Sequence, residues 1–330
     1  MNKDKIKGMF LGIAIGDALG MPVESWTQER IKETYGYVKE YKVPDGHKWF
    51  NGQPAGMTTD DTQLSVAVAE ALMQKPACME AQKEWHIAAL KESTMGWGNS
   101  TRNSVRNLAN GAHWSESGKG QSGLGNGVAM KIAPAAAYLF SVRKSKSKMA
   151  EGFKFIRRLN LMTHYTHMSL CTTMSQVFAI IVALKYNPSN SQSMIEKLKE
   201  FVIAACRKEK EILITYNESE DDITARFEKL FSEPHDTQKL IEDFGGGSCY
   251  CYNSIPFTFG FFLNNPCSVD NLYEVINAGG DTDSNASMLG ALLGALNGSS
   301  IFPSNLVDEL PEKDKILDVA ERFAGKFGFE

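Results

Sequence analysis

Two short acidic motifs each stand before a stretch that has the composition of a helix. TTDDT, residues 58–62, precedes an amphipathic window, and GDTDS, residues 280–284, precedes a run of small and apolar residues. At a single helix start, such residues are explained by capping and by the helix dipole. The return of the pattern late in the chain favours a shared chemical role. The side chains concerned are Thr59, Asp60, Asp61, Asp281, Asp283 and Ser284.

If the two helix starts converge, these carboxylates and hydroxyls share one site. Neighbouring carboxylates repel one another unless cations neutralise them, and a set of oxygen ligands suits hard divalent ions such as Mg²⁺ or Mn²⁺ better than zinc. The glycines before Asp281 permit a tight turn, and the small residues after it permit close helix packing. The sequence therefore predicts a divalent-cation centre, on the condition that the two helix starts meet.

Two further carboxylates lie in or just after the opening helix, in the segment GIAIGDALGMPVE, residues 12–24. Glycines at positions 12, 16 and 20 fall four apart, so on a helix they form one smooth face that another backbone can approach closely. Asp17 lies within this apolar stretch, where a carboxylate must be hydrogen-bonded, bound to metal or placed at a cavity wall. Glu24 follows Pro22, where the helix is expected to end, and is freer to face a cleft.

A glycine-rich segment, SGKGQSGLGNGVAMKIAP, covers residues 117–134. Its glycines and Asn126 are compatible with a backbone nest for a phosphate group, with Lys131 supplying a nearby charge, or with a plain surface turn. The segment matches neither the P-loop nor the dinucleotide-binding fingerprint in the context that those motifs require. Further on, His164 and His167 are three residues apart. On one helix they would share a face and bind a metal, hydrogen-bond a sugar or pyrophosphate, or pack in the core.

The elements that must position these groups are predicted to be helices. Strand-like alternation is scarce, whereas helical periodicity recurs in four windows: Thr62 to Met73, Ser169 to Leu184, Ser193 to Cys206 and Ile316 to Phe327. Turn-rich segments separate the windows, and none of them is a long low-complexity linker. The sequence predicts an all-α protein with a single domain covering residues 1–330.

Composition limits the possible partners. The chain has 330 residues, 43% of them hydrophobic, and a formal net charge of −4, with an isoelectric point near 5.9. No bulk positive field attracts nucleic acid or an anionic membrane. The apolar runs Val177 to Leu184 and Ala286 to Leu296 are shorter than the roughly 20 residues of a membrane-spanning helix.

The compartment and the oligomeric state are predicted from what the sequence lacks. The six cysteines form neither a CxxC pair nor a compact disulfide pattern, and no secretory signal is recognisable at the start of the sequence. The sequence also carries no mark of a coiled coil or an obligate interface. We therefore expect a cytoplasmic monomer.

Taken in order, the motifs GDALGMPVE, TTDDTQL, GLGNGVAMK, THYTH and AGGDTDSNASMLGALLGALNG resemble the ADP-ribosylglycohydrolase family. The resemblance covers most of the chain, and the pairing of TDDT with GDTD is specific. It implies a compact orthogonal bundle of helices and a site with two divalent cations, usually Mg²⁺ or Mn²⁺. Their ligands would be Thr59, Asp60, Asp61, Asp281, Asp283 and Ser284.

By the same resemblance, the substrate is an ADP-ribosyl group on a protein side chain, or an ADP-ribose derivative. Glu24 matches the family's glutamate on a mobile loop over the site, and Glu24 and Asp61 would be catalytic. The metals would meet the ribose hydroxyls. The implied substrate-binding residues are Gly125, Asn126 and Gly127 at the diphosphate, Lys131, and His164 near ribose or phosphate.

Two residues depart from the family pattern. Lys131 replaces a common arginine, which keeps the charge but loses the guanidinium fork. Ser284 replaces a common threonine and keeps the hydroxyl. Arginine is the expected acceptor of ADP-ribose, with serine as the alternative, and an inactive binding homologue is a third possibility. Selectivity would depend on Val43 to Gly56, Trp97, Trp114 and Tyr250 to Tyr252, whose aromatic rings stack on adenine or pack in the core.

Overall fold

A computed structural model describes residues 2–211 and 221–330 of the chain, and within these ranges the protein is almost entirely helical. The first helices are α1 (Lys3–Gly20), α2 (Gln28–Tyr35), α3 (Asp60–Gln74), α4 (Met79–Glu92), α5 (Asn99–Ala109), α6 (Trp114–Ser117), α7 (Ala133–Ser141), α8 (Lys146–Thr163) and α9 (His167–Lys185). They are followed by α10 (Ser191–Lys210), α11 (Ile223–Ser232), α12 (Thr237–Asp243), α13 (Cys251–Asn264), α14 (Asp270–Asn277), α15 (Thr282–Asn297), α16 (Ser304–Asp308) and α17 (Lys313–Phe327). The predicted all-α fold is confirmed.

Short elements connect the helices. Strands β1 (Trp26–Thr27) and β2 (Gly279–Gly280) pair antiparallel, with Trp26 opposite Gly280. Single turns of 3₁₀ helix lie at Met21–Val23, Pro188–Asn190, Gly245–Gly247 and Ser299–Ile301. The first of these turns and the β1–β2 pair place the end of α1 beside the start of α15.

The four windows of helical periodicity lie in α3, α9, α10 and α17, so the prediction of these helices is confirmed. Each helix is longer than its apolar window, by one to four residues at one end or at both ends. The added residues are mostly polar, because helix ends reach solvent or a cap while the periodic part faces the core. The prediction of a single domain stays a prediction.

Helices α1 and α15 form a close antiparallel pair. A Cβ on Gly12 would lie 2.0 Å from the carbonyl oxygen of Gly290, and one on Gly16 would lie 2.2 Å from that of Ala286. No side chain fits such a gap, so the predicted smooth glycine face is confirmed. At one end of the pair, the Thr282 hydroxyl donates to the Gly20 carbonyl oxygen over 2.7 Å. This contact brings the last turn of α1 to the first turn of α15.

Two helical segments, Lys3–Val23 and His167–Lys185, are long and apolar enough to cross a membrane by length and composition alone. Within the fold, 94% and 83% of their apolar windows are buried, as in core helices of globular proteins. The run Val177 to Leu184, expected to be too short for a membrane span, is part of the longer helix α9. The expectation that the protein does not bind membranes stays a prediction.

Candidate metal centre and active site

The two acidic motifs converge on one buried site at the N-termini of α3 and α15. Asp60 and Asp61 open α3, and Asp281 stands immediately before α15. The Ser284 hydroxyl, in the first turn of α15, donates to Oδ2 of Asp61 over 3.2 Å. The condition that the sequence left open, that the two helix starts meet, is therefore fulfilled.

Asp17 of α1 caps α3 from another helix. Its carboxylate accepts the backbone N–H groups of Thr59, over 2.9 Å, and of Thr62, over 3.1 Å. It also accepts the hydroxyl hydrogens of both threonines, over 2.8 and 2.6 Å. Thr59 occupies the N-cap position of α3 but makes no side-chain cap bond of its own, because its hydroxyl is turned toward Asp17. Burial raises the pKa of Asp17 to about 6 in spite of these four donors.

The carboxylates form two groups that have one member in common. Oxygens of Asp17, Asp61 and Asp283 lie within 4.8 Å of one another, and so do oxygens of Glu24, Asp281 and Asp283. Asp283 therefore stands between two adjacent positions, each lined by three carboxylates. Carboxylates grouped in this way are suited to hold divalent cations.

Burial and mutual repulsion make ionisation of these acids unfavourable. Burial, followed by the charges of Asp281 and Asp60, raises the pKa of Glu24 to about 9. Burial, followed by the charge of Asp17, raises the pKa of Asp60 to about 8. The pKa values of Asp61, Asp281 and Asp283 are raised as well, and burial is the largest cause in each case. Such a cluster favours protons or cations that neutralise it.

An oxygen of Asp61 has no partner among the residues that the structure describes. Oδ1 of Asp61 is buried and accepts no hydrogen bond from any residue that the structure describes. A buried carboxylate oxygen without a partner is unfavourable unless a cation or a solvent molecule satisfies it. The donor set, made of carboxylate and hydroxyl oxygens, fits a hard divalent cation.

A chain of side-chain hydrogen bonds orients Asp281. The Asn126 amide donates to Oδ2 of Asp281 over 2.6 Å and to the Ser254 hydroxyl over 3.0 Å. Ser254 in turn donates to Oδ1 of Asn285 over 2.7 Å. Partners of this kind behind a metal ligand fix its direction and tune its affinity. The Asn126 side chain therefore faces the acidic cluster.

The glycine-rich segment is fixed beside the cluster by backbone pairing. The Asn126 N–H donates to the Cys249 carbonyl oxygen over 3.0 Å, and the Cys251 N–H donates to that of Leu124 over 2.9 Å. Gly125 and Gly127 pack against the His164 ring, since a Cβ on Gly127 would lie 3.0 Å from Cε1 of His164. The sequence motifs around residues 125 and 164 thus lie together, and their assignment to substrate binding stays a prediction.

The Lys131 side chain lies in the protein interior, deeper than a residue that contacts a substrate entering from solvent. Its side chain is fully buried, and its Nζ has no hydrogen-bond partner among the described residues. Burial lowers the pKa of Lys131 to about 7, an effect that the charge of Asp60 opposes. Lys131 is therefore an interior neighbour of Asp60, and its charged form favours ionisation of the Asp60 carboxyl group.

His164 and His167 do not lie on one helix, so the condition under which they would share a face is not met. His164 is the C-cap of α8, and His167 is the first residue of α9. Thr166 separates the two helices, because its hydroxyl accepts the Ser169 N–H over 3.1 Å and so caps α9. His164 is buried, and burial followed by the charge of Lys131 lowers its pKa to about 3. A neutral imidazole is the form present at neutral pH.

Sequence reasoning missed Gly96 as a neighbour of the cluster. Gly96 adopts φ +80°, and a Cβ there would lie 2.3 Å from Oδ1 of Asp60. A single glycine in a loop gives no signal of such a contact. Trp97 is buried, and its indole N–H donates to Oε1 of Gln63 over 2.8 Å. Of the two alternatives for Trp97, stacking on adenine or packing in the core, the structure supports packing.

Comparison with known proteins agrees with the motifs and the geometry. The profile of the ADP-ribosylglycohydrolase family matches residues 1–329. An uncharacterised protein of Archaeoglobus fulgidus is 28% identical over 97% of this chain and 96% of its own length. The ADP-ribosyl-[dinitrogen reductase] glycohydrolase of Rhodospirillum rubrum is 25% identical over 94% of this chain and 91% of its own. An ADP-ribosylarginine hydrolase of Serratia proteamaculans is 24% identical over 97% of this chain and 78% of its own length.

A solved structure shares the fold. The chain of an ADP-ribosylglycohydrolase-related protein complex superposes with a TM-score of 0.71 at 22% identity, and 98% of each chain is covered. At that identity the likeness concerns the fold alone. The match of the family profile to nearly the whole length shows that this chain belongs to the ADP-ribosylglycohydrolase family.

Proposed function

We propose that this protein is a metal-dependent hydrolase that releases ADP-ribose from a modified protein side chain. The observation that carries the proposal is the pair of carboxylate groups that share Asp283, with Glu24 in one of them. Membership of the family and the activities named for two relatives support it. A cytoplasmic location and a monomeric state are proposed from the sequence alone.

The metal ligands of the proposal combine four carboxylates with two hydroxyls. When bound, divalent cations would supply positive charge that orients the ribose hydroxyls and acidifies water. Mg²⁺ and Mn²⁺ are the proposed ions because each candidate ligand atom is a hard oxygen. These ligands are Thr59, Asp60, Asp61, Asp281, Asp283 and Ser284.

The chain's own residues would act on the bond between the anomeric carbon and the side chain. Glu24 is only half-buried, whereas the aspartates of the cluster are buried. Glu24 would therefore meet the leaving group and move a proton between its carboxyl oxygen and the departing nitrogen or oxygen. Asp61 would stabilise the positive charge that develops at the anomeric carbon, with its Oδ2 held by Ser284.

The rest of the substrate would extend along the glycine segment. Gly125 and Gly127 flank Asn126, whose amide is bound to Asp281, and both glycines pack against His164. These contacts support a position for the three residues next to a ribose that would face Asp281. In the proposal they meet the diphosphate and the adjacent sugar. Asn126 and Lys131 contribute indirectly, because the Asn126 amide is bound to Asp281 and Lys131 is fully buried.

Arginine is the proposed acceptor, and the relative named as an ADP-ribosylarginine hydrolase supports it. The test incubates purified protein with arginine-linked and serine-linked ADP-ribosyl peptides, with Mg²⁺, with Mn²⁺ or with chelator, and measures released ADP-ribose. We expect release from the arginine-linked peptide only, abolished by chelator and by Asp283→Asn. Release from the serine-linked peptide alone would overturn the acceptor. Absence of release from both peptides would overturn the hydrolase proposal and favour a binding role.

A further inference from the structure

His47 lies directly against the backbone of Glu24. Its Nε2 is 2.9 Å from the Glu24 carbonyl oxygen. Its Nδ1 accepts the backbone N–H groups of Trp49, over 3.3 Å, and of Phe50, over 3.2 Å. A ring nitrogen that accepts cannot carry the proton of the neutral ring, so the proton is on Nε2 and is donated to Glu24. One tautomer thus satisfies all three contacts.

The imidazole ring packs against two aromatic rings. It stacks on Phe50 with ring centres 4.8 Å apart and on Trp26 with ring centres 6.0 Å apart. Only 3% of His47 is exposed to solvent. Because neighbours confine the ring, the direction of its Nε2–H bond is fixed.

The peptide between Glu24 and Ser25 is held from two sides. His47 binds its carbonyl oxygen, and its N–H, on Ser25, donates to the Gly280 carbonyl oxygen over 2.7 Å. Ser25 adopts φ 62°, in the left-handed region that residues other than glycine rarely occupy. A strained backbone of this kind persists where surrounding contacts determine it, and such positions cluster at functional sites.

We propose that His47 is a positioning residue for Glu24. By fixing the peptide plane that follows Glu24, it directs the Glu24 carboxyl toward Asp281 and Asp283. It also connects the segment of residues 43–56 to the acidic cluster, so that this segment and Glu24 move together. The proposal rests on the function proposed above, which gives Glu24 its role.

The test compares His47→Ala, His47→Gln, Glu24→Gln and the double variant Glu24→Gln/His47→Ala. Both kcat and KM for the arginine-linked peptide and the affinity for Mn²⁺ by calorimetry are measured. Loss of an outer-shell partner lowers affinity or activity by about 10- to 100-fold, and we expect His47→Ala to lower kcat or Mn²⁺ affinity by that factor. His47→Gln, which keeps a donor, should recover most of the loss. In the Glu24→Gln background, removal of His47 should have no further effect.

The matched control is Tyr35→Phe. The Tyr35 hydroxyl donates to the Val43 carbonyl oxygen over 2.7 Å, so its removal loosens the same segment without touching Glu24. An equal loss in Tyr35→Phe, no loss in His47→Ala, or an undiminished loss in the Glu24→Gln background would each overturn the proposal. If the wild-type protein released no ADP-ribose, the proposed function would fail. The Mn²⁺ affinities would still decide the role of His47, because the Glu24 carboxyl group lies in one group with those of Asp281 and Asp283.

Discussion

The Ser284 hydroxyl lies 3.2 Å from Oδ2 of Asp61, although the two residues are 223 positions apart in the chain. The Ser284 N–H donates to Oδ1 of Asp283 over 2.8 Å. A single residue in the first turn of α15 therefore binds one carboxylate of its own helix and one of α3. The protein's own hydrogen bonds thus hold the carboxyl groups of Asp61 and Asp283 side by side, which organises the proposed ligand set around Ser284.

Replacement of Asp61 by asparagine should stabilise the metal-free protein and abolish its response to metal. The change removes a buried acid whose ionisation is disfavoured by burial and by the neighbouring carboxylates. We therefore expect a rise in Tm of about 2 to 4 °C, which corresponds to about 1 kcal/mol. The increase in Tm caused by Mn²⁺ should disappear, and kcat should fall by more than about 100-fold, beyond the effect of an outer-shell partner. Thermal melts and ADP-ribose release measure both effects.

The control for this change is Asp314→Asn. Asp314 lies in the first turn of α17 and is exposed, so it matches Asp61 as an acid near a helix start without the buried cluster. Its replacement should leave the Mn²⁺ response and kcat unchanged. A full Mn²⁺ response in Asp61→Asn would remove Asp61 from the ligand set.

Stability of the metal-free protein should decrease as the pH rises from mildly acid to neutral. The pKa values of Asp17 and Asp60 rise from 3.8 to about 6 and about 8, and that of Glu24 rises from 4.5 to about 9. The folded state therefore binds more protons than the unfolded state above pH 4. The contribution of these acids to the free energy of unfolding is fully present at low pH. It is lost as the pH rises through their pKa values in the folded state.

Divalent cations should reverse this trend, because they bind the ionised carboxylates and compete with protons. We expect the Mn²⁺-induced increase in Tm to be larger at about pH 7 than at about pH 5. Melting curves with Mn²⁺ and with chelator at both values measure it. An Mn²⁺-induced increase in Tm that does not depend on pH would show that the acids with raised pKa values do not bind the cation.

Gly12→Ala should destabilise the protein and weaken metal binding. The added Cβ would lie 2.0 Å from the Gly290 carbonyl oxygen, so α1 and α15 must separate. We expect a loss in the free energy of unfolding of about 1 to 3 kcal/mol, as for other overpacked cores, measured by urea denaturation. Because the two helices carry Asp17 and Asp283, Mn²⁺ affinity should fall as well.

The matched change is Gly325→Ala in α17, where nothing lies within 4 Å of the added Cβ. It should leave metal affinity unchanged and raise the free energy of unfolding by about 0.4 to 1 kcal/mol. Equal effects of the two substitutions on unfolding would contradict the close approach of α1 and α15.

Asn126→Ala should weaken Mn²⁺ binding with little effect on the fold. Oδ2 of Asp281 would lose the amide donor at 2.6 Å, and the loss of such a partner lowers metal affinity by about 10- to 100-fold. Calorimetric titration measures it. The exposed Asn103, whose amide donates to Gln121, supplies the control Asn103→Ala, for which unchanged affinity is expected. Equal affinities of the two variants would show that Asn126 does not tune the site.

Local patterns in the sequence predicted the helices and the smooth face of α1. Periodicity and glycine spacing are properties of neighbouring residues, and the contacts of Gly12 and Gly16 follow from them. The sequence could predict the shared acidic site only on the condition that the two motifs meet. Their meeting depends on the antiparallel pairing of α1 with α15, which no local pattern specifies. The role of Asp17 as a cap for α3 was beyond prediction for the same reason.

Loops gave the weakest signals. The neighbours Gly96 and His47 are single residues in irregular segments, and their contacts with Asp60 and Glu24 exist only in the folded chain. The separation of the two histidines onto different helices has a local cause. Thr166 lies between them and caps α9 through the Ser169 N–H. Threonine is a common helix-capping residue. Because a new helix begins at this threonine, the two histidines belong to different helices in spite of their three-residue spacing.

The pairing of α1 with α15 also has a consequence for synthesis on the ribosome. Thr282 and Gly20, which join the two helices, are 262 residues apart. While the chain grows from the N-terminus, the glycine face of α1 has no partner until the late residues leave the ribosome. The acidic cluster, and any ion that it holds, can therefore form only after nearly all of this sequence has been translated, and metal retention would serve as a reporter of completed folding.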